Sequence, residues 1–201
     1  MNIISFENRE ALPTEEHWKD GKTANQAMVH LINMMKDPVY VETGVCGGRS
    51  IAFIVQRCLN IKEAWGVDFW LPNTDHFEQK EMFYSEDMQK RFFESACRRA
   101  MSTGHKDKIK FIKEDVSVAA SYFEDNSIDF LFLDHYLNQK DVAECLPMWY
   151  NKVKLNGYFA GHDWLYEDVE RSVLNFREQY DIQSTLSVYG AEWVWKKDGN
   201  I

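Results

Sequence analysis

The sequence predicts a doubly wound α/β fold, an open and mostly parallel sheet with helices on both faces. Three observations carry that expectation. Strand-like and helix-like patterns alternate from residue 39 to residue 179. The run "SIDFLFLDH" (127–135) is apolar without alternation, as a strand buried on both faces of a parallel sheet must be. The stretch "VYVETGVCGGRS" (39–50) passes at once from a β-branched strand into glycines, as a strand–turn–helix does.

Each element follows from local pattern. Residues 13–36 read as helical, with Thr14 as cap, Met28, Leu31, Ile32 and Met35 as an apolar stripe, and Pro38 as the stop. "VYVET" is the first strand, and a helix covers Ser50 to Leu59. "EAWGVDF" (63–69) is the second strand, followed by a helix over about Ser85 to Met101 that Gly104 ends. "KIKFIKED" is the third strand, and a short helix runs from Ser117 to Phe123. After the apolar fourth strand come a helix over 139–152, the turn "LNG", the strand "GYFAGHDW" and a helix over 165–179. "IQSTLSVYG" and "AEWVWKK" close the chain as two strands around Gly190. Trp193 and Trp195 share a face at period two, which places them in a core or an interface.

Composition bounds the function. A chain of 201 residues with 45% hydrophobic and 27% charged residues fits one ordinary domain. A net charge of −9 argues against a nucleic-acid backbone as partner. "MNIISFENRE" has no basic n-region followed by an apolar h-region, and no apolar run approaches the roughly 20 residues that cross a bilayer. The expectation is a cytoplasmic protein with no membrane partner. Cys46, Cys58, Cys97 and Cys145 lack any metal-ligand spacing and read as free thiols. The basic cluster Arg98, Arg99, His105, Lys106, Lys108, Lys110 and Lys113 reads as a solvated face.

In such sheets ligands lie outside the carboxyl ends of the strands, which singles out a few positions. "ETGVCGG" sets Gly44 and Gly48 four apart before a helix, so the backbone either approaches a ligand closely or makes a tight turn. It lacks the GxGxxG and GxxxxGK[ST] orders of nucleotide loops. Asp68 ends the second strand, where a carboxylate holds a ribose or caps a turn. Asp115 ends the third, where it bonds an adenine amino group or N-caps a helix. Asp134 follows the apolar fourth strand, a costly place for an acid unless it is paired, hydrated or bound.

This ordered set resembles the class I S-adenosylmethionine-dependent methyltransferases over about residues 38–197. Within them it is most similar to small-molecule O-methyltransferases of the catechol and of the macrolide and aminocoumarin sugar types. The resemblance implies a Rossmann-like sheet of seven strands, mostly parallel, with an antiparallel closing hairpin. It implies S-adenosyl-L-methionine as cofactor and a hydroxyl of a small molecule, a sugar or natural product, as methyl acceptor. By position, Glu42, Gly44, Gly48 and Ser50 would meet the methionine end, Asp68 the ribose, and Asp115 with Val116 the adenine. Asp134 would face the transferred methyl. In metal-dependent relatives that acid and two residues after the fifth strand hold a divalent ion, here Asp134, His162 and Asp163. Mg²⁺ suits the two acids, whereas His162, where an acid is usual, suits Mn²⁺ better.

A lysine base of the catechol type is replaced by Leu137, leaving His135, His162 or His76 as candidates. Residues 1–37 are expected to form a helical segment capping the substrate, and 38–201 the cofactor domain with an insertion at 69–89. His17, Trp18 and the aromatics Phe69, Trp70, Phe77, Phe83 and Tyr84 fall in these variable regions, as pocket lining or as a satellite core. Two other classes stay open: a non-catalytic domain that binds the cofactor or a partner, and a nicotinamide-dependent oxidoreductase. A homodimer is compatible with the sequence.

Overall fold

The computed structural model of the chain describes residues 3–6, 25–71, 85–135 and 139–201. The strands are β1 (Ile3–Ser5), β2 (Val39–Thr43), β3 (Glu63–Asp68), β4 (Ile109–Lys113), β5 (Ile128–Leu133), β6 (Val153–Gly161), β7 (Ser187–Tyr189) and β8 (Glu192–Lys196). The helices are α1 (Gln26–Asn33), α2 (Arg49–Arg57), α3 (Glu86–Ser102), α4 (Val116–Ala119), α5 (Gln139–Tyr150) and α6 (Glu167–Gln179). Among the described residues no helix is long and apolar enough to cross a membrane. All four cysteines carry free thiols.

One mixed sheet orders the strands β1-β4-β3-β2-β5-β6-β8-β7. The five strands from β4 to β6 are parallel, and β8 runs antiparallel to both β6 and β7. From β2 the chain winds outward through β3 and β4, then crosses back to build β5 and β6. The carboxyl ends of β2 and β5 therefore flank the crevice where such sheets bind ligands.

Side-chain alternation divides the core between the two faces. Val41, Leu131, Leu133, Phe159, Trp193 and Trp195 pack with α5 and α6. Tyr40, Phe130, Phe132, Ala160 and Val194 pack with α1, α2 and α3. Trp193 and Trp195 are core residues, with ring centroids 5.1 Å apart. Gly161 makes room for them, because a Cβ there would lie 2.3 Å from the Trp193 ring.

The structure departs from the sequence reading in identifiable places. The sheet has eight strands rather than seven, because Ile3–Ser5 pairs antiparallel along the outer edge of β4. Of the helix expected over 13–36, α1 is the described part, and Thr14 lies outside the described residues. The short helix after β4 lasts one turn as α4 and then tightens into a 3₁₀ turn at Ala120–Tyr122. β6 begins at Val153, ahead of the expected turn, and absorbs "LNG" as an irregularity in its pairing with β5. β7 keeps only three residues of "IQSTLSVYG". The backbone N–H groups of Gln183 and Ser184 instead donate to the Asp198 carboxylate, which diverts that segment from the sheet.

Gly44 follows β2 beside the end of β5 with φ +78°, and a Cβ there would lie 1.7 Å from the Asp134 carbonyl oxygen. Gly190, with φ +68°, has nothing within 4 Å of its would-be Cβ. Gly190→Ala should therefore cost only the left-handed backbone penalty, ~1–2 kcal/mol. Gly44→Ala adds backbone overlap and should cost ~4 kcal/mol or prevent folding. Urea unfolding of the two variants checks the contrast.

Candidate active site

The turn between β2 and α2 is held from three sides. Asp68, at the end of β3, accepts the Cys46 N–H at 2.7 Å and the Trp70 N–H at 3.0 Å. The Trp70 indole donates to the Cys46 carbonyl at 2.8 Å, and Arg99 of α3 donates to the Gly47 carbonyl at 2.8 Å. Arg99 thus leaves the solvated basic face assigned to it from sequence. Gly48 takes φ +74° at the start of α2, and a Cβ there would lie 2.7 Å from Ala96 Cα. Gly44 and Gly48 therefore let parts of the protein itself come close. Gly48, as the N-cap of α2, offers no side-chain cap, and within the first turn the Ile51 N–H is taken by Glu42 of β2.

Glu42 lies beneath this turn and is only 1% exposed. It accepts the Tyr40 hydroxyl at 2.7 Å. Burial, with the Asp134 charge added, pushes its carboxyl up to about 8 against the hydrogen bonds from Tyr40, Ser50 and the Ile51 N–H. Asp68 is likewise raised by burial, against the amides it accepts. Ser50 also reaches Asn25 Oδ1 at 3.4 Å. Asp115 N-caps α4 by accepting the Ser117 N–H at 2.9 Å, and Val116 beside it is buried. That cap does not occupy every lone pair of its carboxylate.

Asp134, His162 and Asp163 come together across the ends of β5 and β6. His162 Nδ1 is 2.9 Å from Asp163 Oδ1 and 3.5 Å from Asp134 Oδ1. One ligand atom from each of the three lies within 4.8 Å of the others. Asp163 has φ +62°, which turns the chain as it leaves β6, and the Trp193 indole holds the His162 carbonyl at 3.0 Å. The hydrogen bond to Asp163, helped by the Asp134 charge, raises His162 to about 9. Burial raises Asp134 to about 6, although the His162 charge opposes it. At neutral pH this imidazole is a cation between two acids.

His135 is separate. Its Nδ1 lies 2.5 Å from Thr43 Oγ1 and its Nε2 3.1 Å from Cys145 Sγ, while burial depresses it to about 3. A small cleft runs between the two histidines, lined by Leu133, Asp134, Cys145, His162, Asp163 and Trp193. Trp70 is a core residue that stacks edge-on against Phe93. His17, Trp18, His76, Phe77, Phe83, Tyr84 and Leu137 lie outside the described residues.

Sequence reasoning missed Tyr40, Arg99 and Glu192. Glu192 opens β8, is 0% exposed, and has no hydrogen-bond partner for either carboxylate oxygen. Burial raises it to about 8, with His162 lowering and Asp134 raising it. The available signal was strand alternation, which sets Glu192 and Val194 opposite the tryptophans at the ligand-bearing rim.

Residues 41–164 match the family described as "Methyltransferase domain", more than half the chain. The chain belongs to this methyltransferase family. Solved structures agree on the fold. The O-methyltransferase NovP is 16% identical, with 86% of this chain and 80% of NovP covered, at a TM-score of 0.60. A methyltransferase from Geobacter sulfurreducens is 16% identical over 87% of this chain and 78% of its own, at 0.58. The cofactor-bound Rv0187 from MTB is 10% identical over 90% and 84%, at 0.62. No curated protein matches the sequence.

Glu42 and Glu192 keep their protons in the folded chain at pH values where the unfolded chain has lost them. Folded-state values above unfolded ones mean that stability is full below about pH 4.5 and drains as pH rises through about 8. His162 extends the same trend to about 9. Glu42→Gln should therefore raise the stability of the ligand-free protein at pH 8 by ~1 kcal/mol or more, with little change at pH 4.5. Urea midpoints at the two pH values measure this.

Proposed function

We propose that this methyltransferase transfers a methyl group from S-adenosyl-L-methionine to a hydroxyl of a small molecule, assisted by a divalent ion. The observation that carries the reading is the triad of Asp134, His162 and Asp163 at the same rim as the glycine turn, Glu42 and Asp68. Two carboxylates and one imidazole within 4.8 Å fit a cation of the Mn²⁺ class. S-adenosyl-L-methionine supplies, when bound, a methyl group activated on a cationic sulfur. A divalent ion supplies Lewis acidity that lowers the pKa of a coordinated hydroxyl.

The chain's own residues do the rest. Glu42, buried with its charge disfavoured, gains most from a cationic neighbour and receives the amino group of the methionine end. Asp68 has spare lone pairs for the ribose hydroxyls while it braces the turn, and Asp115 with Val116 borders the adenine. Gly44, Gly48 and Ser50 shape the mouth of α2. Asp134, His162 and Asp163 are the residues that would hold the ion, at the rim where the acceptor oxygen must come.

Neither histidine is well set to act alone as the base. His162 without an ion is already protonated at neutral pH, and both His135 nitrogens are engaged inside the protein. That argues against a histidine acting alone as the base. No nucleotide-loop glycine order favours a nicotinamide cofactor instead.

Thermal unfolding with S-adenosylhomocysteine, against NAD⁺ as control, tests the cofactor. A ligand at about 100 times its dissociation constant should stabilise the protein by ~2.7 kcal/mol. Asp68→Asn should reduce that shift, and absence of any shift with S-adenosylhomocysteine would refute the reading. Ion binding must displace the His162 proton, so Mn²⁺ affinity should rise up to ~tenfold per pH unit between pH 6.5 and 8.5. Calorimetry in buffers of different ionisation heat should detect the released proton, whereas pH-independent affinity would count against His162 as a ligand.

A further inference from the structure

One buried group at the rim has no task in the scheme above. Glu192 is 0% exposed, and neither carboxylate oxygen has a hydrogen-bond partner. A buried carboxyl group left without a partner is costly even when neutral, so its retention calls for one that its surroundings can provide. The surroundings are specific. β6 and β8 pair antiparallel with Gly161 opposite Trp193 and Ala160 opposite Val194. The ladder ends there; extended by one step, that register would bring His162 to Glu192, and the Trp164 N–H to Ala191 carbonyl bond at 2.9 Å keeps the two chains together beyond it. Directly opposed residues on one face of such a pair have Cβ atoms ~4.5–5.5 Å apart, within reach of a glutamate and an imidazole.

The alternatives nearby are poor. Asp134 carries the same charge sign, and the Tyr40 hydroxyl is committed to Glu42. His162 is the one group in this set that can donate. Its Nδ1 faces Asp134 and Asp163, which leaves Nε2 as the nitrogen to be oriented. A metal-ligating histidine commonly donates its second ring N–H to a carboxylate, which fixes the tautomer and the ring plane.

We propose that Glu192 is a positioning residue, the carboxylate that accepts the Nε2–H of His162 and holds its ring so that Nδ1 points at Asp134 and Asp163. The inference deepens the proposed function, since it rests on His162 serving that site. It adds a third carboxylate to the imidazole's surroundings, from a strand that contributes no residue to the Asp134–His162–Asp163 set.

The test reads His162 directly. Ring ¹⁵N resonances are recorded for the full chain without metal, in wild type, Glu192→Gln and Glu192→Leu, with His162→Gln assigning the signal. The Nε2 resonance of His162 should shift in both variants while those of His135 stay in place. Mn²⁺ affinity, by calorimetry, should fall ~10–100-fold while S-adenosylhomocysteine affinity is unchanged. In His162→Gln, the further change Glu192→Gln should cost no additional Mn²⁺ affinity.

His162 ring resonances identical to wild type in both variants would overturn the proposal. So would additive losses in the double variant. The leucine variant guards against a folding failure, because an apolar replacement of a buried charge is commonly tolerated. If neither variant folds, the carboxylate is a structural group and the proposal falls. Should wild type bind no Mn²⁺, the ion-assisted reading fails by itself, and the metal-free resonances still decide the role of Glu192.

Discussion

The site depends on one close approach, the passage of the β2 turn over the backbone that leaves β5. A Cβ at Gly44 would fall 1.7 Å from the Asp134 carbonyl oxygen, so residue 44 can be only glycine if the two strand ends are to meet. That meeting brings Glu42, under the turn, near enough to Asp134 for each charge to matter at the rim. It also sets Thr43 beside His135, one of the residues that line the cleft. Without it the sheet would still be a sheet, but its switch point would be open rather than shaped.

What gathers there is a cluster of carboxyl groups in a place poor in water. Glu42, Asp68, Asp134 and Glu192 are all raised, with burial as the leading cause in each. Among the described residues, the side-chain cation acting on Asp134 and Glu192 is the His162 imidazole, which the adjacent acids favour in its protonated form. Desolvated carboxylates favour whatever positive charge arrives, and a sulfonium, an ammonium and a divalent ion each meet that demand. The unliganded fold therefore bears an electrostatic cost that a cationic ligand relieves.

Much of this was legible in the sequence. "VYVET" appears as β2 within its expected bounds because Pro38 and Gly44 bracket a β-branched run. The apolar run Phe130–Leu133 of β5 placed it at the centre of a parallel sheet, and the acids Asp68, Asp115 and Asp134 lay at the rim where the topology requires them. What was hidden depended on partners distant in sequence. Three residues, Ile3–Ser5, carry too little pattern to be read as a strand, and only the open edge of β4 makes them one. Arg99 looked like part of a solvated cluster because its acceptor, the Gly47 carbonyl, lies 52 residues away. Glu192 was overshadowed by the two tryptophans beyond it, although the same alternation that buries them points it toward His162.

The bond from Arg99 to Gly47 has a mechanical side. It fastens the glycine turn to a helix of 17 residues, and the Ser95 hydroxyl braces the same guanidinium at 2.5 Å. Turn and helix then move as one body, so a ligand seated on the turn acts on α3 as well.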